Sequence, residues 1–375
     1  MKLQIGHLVK QPGGFSAFIP AQFPVPGMLK LSPELQLKLD KAGRLIGKLD
    51  GVSHTLPDVD FFLTMFVHKD ASSSVQIEGT KATIVDAIEK NAGISDQPQD
   101  VSDIVAYVRA LNHGLKRLQT LPMSLRLLRE LHEQVMRGAR QSHYAAPGEF
   151  RKSQNWIGGT MPSNATYVPP PASHVMTAMD DLEKFIHDDK TLPLLQAGLL
   201  HAQFETIHPF LDGNGRVGRL LVTMQLYHRT VLERPVLFLS SYFNKHQQTY
   251  YQKLRDYSDG ALLPWLDFFL DGVIETAANA IVICKKITKL REVDMAKIQA
   301  LAKRESESAV LVLQQLFKQP IVKNATVAQW TGFSRPGAQK VIDRFIKLDI
   351  LSPRSTKEKY DRTYVYKRYL NNFLN

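Results

Sequence analysis

Two apolar helical runs are interrupted by His208-Pro209-Phe210-Leu211-Asp212-Gly213-Asn214-Gly215-Arg216-Val217-Gly218-Arg219, and this interruption constrains the fold more than any other feature. Leu195, Leu199, Ala202 and Ile207 form an apolar face before it, and Leu220-Leu221-Val222 opens the run after it. A polar, glycine-bearing loop is thereby held between two buried helices. Gly213 and Gly215 let the backbone turn its amides toward one point, and the next helix adds unpaired N–H groups at its positive dipole end. The product is an anion cradle. Asp212 beside it can hold a Mg²⁺ that bridges phosphate oxygens, and Arg216 and Arg219, three residues apart on one helical face, can neutralise further charge. His208 adds a neutral base able to take a hydroxyl proton. Base, metal ligand and phosphate nest together describe the transfer of part of a nucleotide onto a hydroxyl group.

The rest of the chain is overwhelmingly helical in pattern. Ser32-Pro33-Glu34 reads as an N-cap with Pro at the first helical position. Further helices are predicted at about 57–70, 80–91, 99–120, 124–138, 173–188, 194–207, 216–230, 245–257 and 262–303. Residues 11–33, rich in Pro and Gly, read as an extended arm. Gly148 to Pro171, with Gly158-Gly159 and Val168-Pro169-Pro170-Pro171, reads as a small hairpin flap on a helical bundle. From 306 the pattern becomes short helices 306–318, 326–331 and 334–348, the last capped by Ser334, followed by a hairpin over Leu351 to Tyr369.

At 375 residues the chain calls for two or three domains. Residues 285–375 carry 19 Lys/Arg against 8 Asp/Glu, so the whole net charge of +11 sits there and residues 1–284 are neutral. Such a local excess favours a polyanion, with duplex DNA the first candidate. The single cysteine, Cys284, excludes an internal disulfide and suits a reducing compartment. The apolar segment 261–284 is broken by Asp267, Asp271 and Glu275, so a cytoplasmic protein without a membrane span is expected.

Every defined position of 208–219 matches the signature His-x-Phe-x-Asp/Glu-Gly-Asn-Gly-Arg-x-x-Arg, and the chain thus resembles the Fic (filamentation induced by cAMP) domain proteins. The resemblance implies an all-α catalytic bundle that transfers AMP from ATP to a Ser, Thr or Tyr hydroxyl of a target protein. It makes His208 the general base, Asp212 the Mg²⁺ ligand, Gly213, Asn214 and Gly215 the cradle for the α- and β-phosphates, and Arg216 and Arg219 phosphate contacts, Arg219 for the γ-phosphate. Gly215-Arg216 stands where the phosphorylating branch has a lysine-containing loop, so adenylyl transfer is implied over phosphoryl transfer.

Ser74-Val75-Gln76-Ile77-Glu78-Gly79 resembles the family's inhibitory motif Ser/Thr-x-x-x-Glu-Gly/Asn, in the class whose inhibitory helix precedes the catalytic core. On residues alone it reads equally as a helix end. The resemblance implies that Glu78 pairs with Arg219 and blocks productive ATP. The flap resembles the hairpin that binds a target segment by strand addition. Tyr251 is implied as the adenine contact, with Asn244 and Tyr250 nearby, although core packing is an equal reading. Ser258 stands where relatives often carry an adenine-contacting Asn.

The expected fold is a mainly α Fic-type bundle with a β-hairpin flap and a C-terminal winged helix. Its expected divisions are 1–95 with the inhibitory helix, 96–285 as the catalytic domain, and 286–375 as a linker helix and winged helix-turn-helix. In that module Ser334, Arg335 and Gln339 would reach bases, and Arg354, Lys357, Lys359 and Arg362 would occupy the wing tip, while protein docking or dimerisation is the alternative use of such a module. Self-AMPylation and a homodimer are further expectations. Two other readings stand beside this one. His201, Glu205 and His208, at i, i+4 and i+7, could bind a metal, and the chain could be a DNA-binding regulator whose Fic domain senses nucleotide.

Overall fold

The computed structural model describes residues 3–27, 29–54, 56, 59–94, 100–139, 146–354 and 362–374, with the side chains of 59–62 and of 304 left aside. Its centre is a pair of helices, α7 (Pro193–Ile207) and α8 (Asn214–His228) in chain order. Every residue of α7 from Leu194 to Ile207 is buried. A helix apolar on nearly all sides can only be central, and the others take their places around it. These are α1 (Pro33–His54), α2 (Val59–Ile77), α3 (Ile84–Asn91), α4 (Val101–Arg117), α5 (Leu125–Met136), α6 (Ala172–Ile186), α9 (Ser240–Lys245), α10 (Gln247–Ser258) and the long α11 (Leu262–Gln299).

Close approach of α11 to α7 depends on Gly198, where a Cβ would stand 2.9 Å from the Phe269 ring. The Gly198 carbonyl then accepts the Trp265 indole N–H at 2.8 Å. Leu35, Ala42, Ile46 and Leu49 give α1 the buried stripe it lays along α11, and Lys38 reaches Asp267 and Asp271 at 2.5 and 2.9 Å. Cys284 is fully buried. Among the described residues no helix is long and apolar enough to cross a membrane.

The N-terminal segment departs from the expected arm. Strands β1 (Gly6–Lys10) and β2 (Ser16–Pro20) form an antiparallel hairpin in which Leu8 faces Phe18. Gly13 and Gly14 turn it at φ +98° and +80°, a conformation that favours glycine. The Pro/Gly content there marks a turn between strands rather than an extended run. The Phe18 N–H donates to Val168 O at 2.9 Å, so the hairpin adjoins the base of the flap. The flap itself is held by one bridge, Ile157 to Tyr167, with a single 3-10 turn at Pro162–Asn164.

Beyond α11 come α12 (Lys303–Lys318), β3 (Ile321–Lys323), α13 (Asn324–Thr331), α14 (Arg335–Lys347), β4 (Ser352–Pro353), β5 (Thr363–Val365) and α15 (Lys367–Leu374). The strands make an antiparallel sheet in the order β3-β5-β4. The hairpin expected to run to Tyr369 stops at Val365. Tyr369, Leu370 and Phe373 then form the buried face of α15, and the Phe373 ring meets the edge of Phe66 on α2. Ser334 is at the N-cap of α14, but its hydroxyl makes no capping hydrogen bond. Arg354 is not at a free tip: it pairs with the buried Glu89 of α3 at 2.7 Å. Lys357 and Lys359 lie outside the described residues, and Gln339 is engaged by Asn324, Asp343 and Tyr364.

The clasp between α11 and α15 is polar. Asp294, fully buried, accepts from the Tyr366 hydroxyl at 2.6 Å and from Arg368 at 2.8 and 3.1 Å. Removing one member of a buried ionic cluster leaves the others uncompensated. Asp294→Ala should therefore lower stability by about 3 kcal/mol, read from its urea unfolding midpoint, and should open the 300–375 region to limited proteolysis first.

Candidate active site

Helix α7 ends at His208, whose φ of +50° is left-handed and uncommon for a side chain of this size. Its N–H still closes on Phe204 O at 2.9 Å, and its carbonyl is turned into a buried clamp. Arg151, 4% exposed, donates to His208 O at 2.9 Å, Pro170 O at 2.6 Å, Ser153 O at 3.1 Å and Ile207 O at 3.3 Å. Burial holds its guanidinium below its usual value, at about 10. Asn155 adds bonds to His208 O and Phe210 O. The flap base thus grips the carbonyls around His208, and the Tyr167 hydroxyl secures Thr206 O at 2.8 Å.

The loop is closed from inside by Asn214. Its side-chain oxygen accepts the Phe210 N–H at 2.8 Å and its amide donates to Phe210 O at 2.9 Å. Any part Asn214 plays in the cradle therefore falls to its backbone at the start of α8. Gly213, at φ +78°, has a second reason to be glycine: a Cβ would meet Met136 Sδ at 2.8 Å and the His132 ring at 3.4 Å. His132 stacks on Phe210 with ring centroids 3.8 Å apart, donates from Nε2 to Asp212 O at 3.0 Å and accepts the Gly148 N–H at Nδ1. Both nitrogens are committed, and burial pushes the ring down to about 4, so it is the neutral tautomer that holds loop and flap together.

The residues expected to act together line one cavity of about 1020 Å³: His208, Asp212, Gly213, Asn214, Gly215, Arg219, Glu78 and Tyr251. Burial, with Arg151 adding to it, lowers His208 to about 4, so the ring is neutral. Asp212 Oδ1 accepts the Gly213 N–H at 2.6 Å, while Oδ2 is buried without a partner. An unpaired carboxylate oxygen beside an anion cradle suits a hard divalent cation. Arg216 departs from expectation. It turns from the cavity toward Met136 Sδ and lies 3.6 Å from Asp212, so the two arginines do not present one face.

Arg219, 3% exposed, donates from Nε to Ser74 Oγ at 2.8 Å and from Nη2 to Ser74 O at 3.0 Å and Glu78 Oε1 at 2.7 Å. Burial opposes ionisation of Glu78, but the guanidinium outweighs it and holds the carboxyl below its ordinary value. Glu78 Oε1 would be 2.3 Å from a Cβ on Gly215, so the carboxylate stands at the cradle itself. Gly79, at φ +86°, ends the helix. Tyr251 is 40% exposed to the cavity and its hydroxyl donates to Ile77 O at 3.1 Å. Tyr250 is core, bonded to His201, and Asn244 reaches Gln76. His201 has both nitrogens engaged, on Gly218 O and Tyr250, so the metal trio is not assembled.

The pattern of the Fic/DOC family matches residues 122–226, and that of the Fic/DOC family N-terminal region matches 36–116. The chain carries a Fic domain. A Fic family protein from Desulfovibrio desulfuricans superposes with a TM-score of 0.57 at 17% identity, covering 91% of this chain and 98% of that one. Fic-1 of C. elegans gives 0.52 at 19% identity, covering 67% and 73%. A probable protein adenylyltransferase of Aquifex aeolicus is 27% identical over 208 residues, 54% of this chain and 58% of its own length. The protein adenylyltransferase Fic of Drosophila persimilis is 25% identical over 283 residues, 71% of this chain and 49% of its own. The chain spans about half the length of these curated relatives.

Three residues that fix the Fic loop, His132, Arg151 and Asn155, escape the motif because they act from other segments on backbone carbonyls. Gly148-Glu149-Phe150-Arg151 at the flap entrance is their one visible signal. His132→Ala removes two hydrogen bonds and a stacked ring, and should cost about 2 kcal/mol. Hydrogen exchange should rise at 147–150 and 210–214 together; exchange confined to α5 would show that His132 does not couple flap to loop.

Proposed function

We propose that the chain is a protein adenylyltransferase, moving AMP from ATP to a Ser, Thr or Tyr hydroxyl of a target protein or of itself. The observation that carries this is the shared cavity in which a neutral His208, the unpartnered Asp212 Oδ2, the Gly213 to Gly215 start of α8 and Arg219 converge. The hydroxyl oxygen attacks the α-phosphorus, its proton passes to His208, and the bond from the α-phosphorus to the bridging oxygen breaks to release pyrophosphate. Asp212 would hold Mg²⁺, which when bound neutralises charge on the phosphate oxygens. Backbone N–H groups at Gly213, Asn214 and Gly215 serve the α- and β-phosphates, and Tyr251 walls the adenine. Arg216, directed toward Met136 Sδ and 3.6 Å from Asp212, would add positive charge for the phosphates from the far side of Asp212.

Glu78 acts as a built-in restraint. It occupies the guanidinium that the γ-phosphate needs, in a segment bounded by Ser74 and Gly79. Residues 1–95, 96–285 and 286–375 then divide into restraint, catalytic domain and C-terminal module. We further propose that the last is a winged helix-turn-helix that binds duplex DNA through α14, where Arg335, Lys340 and Lys347 are exposed. A pure nucleotide sensor is less well supported, because His208 opens to the cavity in a form ready to accept a proton.

With labelled ATP and Mg²⁺, Glu78→Gly should incorporate AMP about tenfold faster than wild type. Glu78→Gly/His208→Ala should incorporate none while still binding ATP, and Glu78→Gly/Arg219→Ala should be slower than Glu78→Gly. A Glu78→Gly rate no higher than wild type would return Ser74 to Gly79 to an ordinary helix end. For the module, R335A/K340A/K347A should lower affinity for duplex DNA and flatten its salt dependence, by about one slope unit for each phosphate that is no longer neutralised. Unchanged DNA binding would assign the helix to protein docking.

A further inference from the structure

Glu205 is a buried carboxyl that neither the cradle nor the restraint uses. It lies one helical turn before His208 on α7, with its side chain 10% exposed and that of His208 18% exposed. Its Oε2 is 3.7 Å from His208 Nδ1, the ring nitrogen on the side opposite the one a proton-accepting Nε2 presents. Glu205 Oε1 and His208 Nδ1 are both buried polar atoms without a hydrogen-bond partner. Two such orphans on neighbouring groups are rare and costly, and each is the natural partner of the other's residue.

Space for this carboxyl is built into the motif. A Cβ on Gly218 would stand 2.4 Å from Glu205 Oε1 and 3.2 Å from His201 Nδ1, so the glycine between Arg216 and Arg219 is the floor of the Glu205 slot. His201 holds that floor through Gly218 O and is itself held by Tyr250. Glu205 is thus placed, not merely tolerated.

We propose that Glu205 is the positioning partner of His208, holding the Nδ1–H tautomer and balancing the imidazolium charge when Nε2 takes the hydroxyl proton. This rests on the reading of His208 as the base. The proton moves from the hydroxyl to Nε2, the Nδ1 proton stays on the ring, and the pair carries one negative and one positive charge until the ring is discharged to solvent. The 3.7 Å between Glu205 Oε2 and His208 Nδ1 is a separation that a modest side-chain rotation would close to hydrogen-bond length. Burial and the nearby Arg151 hold the ring down against the Glu205 carbonyl, Glu78 and Asp212, and a carboxylate at Nδ1 would favour the protonated ring further.

The groups facing Glu205 are Glu78 of α2, Arg219 of α8, Tyr250 and Tyr251 of α10, and His201 and His208 of its own helix. Burial pushes its carboxyl up to about 8, with Arg219 opposing and Glu78 adding to the rise. The Glu205 carboxylate therefore forms as pH rises past neutrality, beside a His208 ring that stays neutral until it takes the hydroxyl proton, and removing Glu78 moves that step downward.

The test uses the whole 375-residue chain in the Glu78→Gly background, with labelled ATP and the chain's own hydroxyls as acceptor. Glu205→Gln, which keeps shape and loses charge, should lower the rate of AMP incorporation about tenfold without changing KM for ATP, and should abolish the rise with pH across neutrality. Glu205→Asp should restore the pH step at a reduced rate. A wild-type pH profile in Glu205→Gln, or a change confined to KM or thermal stability, would overturn the proposal. NMR of isotope-labelled histidine reads the pair without any transfer: His208 should show the Nδ1–H tautomer and a shift on titration through neutral pH that vanishes in Glu205→Gln. An identical His208 titration in both proteins would overturn the pairing whatever the chain's activity, while absence of AMP incorporation beside a vanished titration would count against adenylyl transfer alone.

Discussion

A guanidinium shielded from bulk water must be paired, and the pairing of Arg219 organises the structure around it. The side chain leaves α8 and finds its acceptors at the end of α2: the Ser74 hydroxyl, the Ser74 carbonyl and the Glu78 carboxylate. This contact fixes how α2 crosses the central pair of helices. It also brings the end of α2 to the cavity mouth, where Tyr251 and Gln247 hold Ile77 O. The middle of α2 is held independently, by Phe373 against Phe66. A helix held at its middle and at its last turn can present one carboxylate at one place.

The loop that follows His208 is rigid for a different reason. Its own side chains contribute the Asn214 staple and the Asp212 bond to Gly213 N–H; most of the rest is supplied by residues from α5 and the flap acting on carbonyl oxygens. Arg151 meets four carbonyls and, among its hydrogen bonds, no carboxylate. Its charge is therefore spread over dipoles, and it remains positive enough to depress His208. The strain of a left-handed histidine is sustained because these bonds over-determine its carbonyl. Stability and reactivity are linked here through the backbone.

Much of this is legible in the chain. The helical periods place α4 to α8 within a few residues, since apolar spacing and the breaks at Pro and Gly are local signals. The 208–219 stretch announces both the cradle and its dependence on glycine. What stays hidden is tertiary. Nothing local distinguishes the hairpin at 6–20 from an arm, because its partner strand and Val168 are what make it a strand. Tyr369 looks like the end of a hairpin until Phe66, against Phe373, supplies the surface on which α15 packs. Arg216 and Arg219 share a spacing but not a direction, because Met136 and Asp212 claim one and Ser74 the other. The i, i+4, i+7 array of His201, Glu205 and His208 is visible, yet its chemistry depends on Tyr250 and Gly218.

The geometry of Arg219 also bears on how the proposed restraint would be lifted without rebuilding the fold. Of its three acceptors, two belong to Ser74, which is buried and fixed within α2, and one belongs to Glu78, whose side chain is 40% exposed to the cavity. If Glu78 swings away, the guanidinium keeps the Ser74 hydroxyl and carbonyl and so keeps its direction; it loses a counter-charge and not its orientation. On the proposed function, a phosphate entering the cradle would meet a cation already aimed, and the electrostatic demand that Glu78 satisfies would become attraction for the ligand. Restraint and activation would then use one guanidinium in one pose, and the proposed switch reduces to which anion stands in front of Gly215.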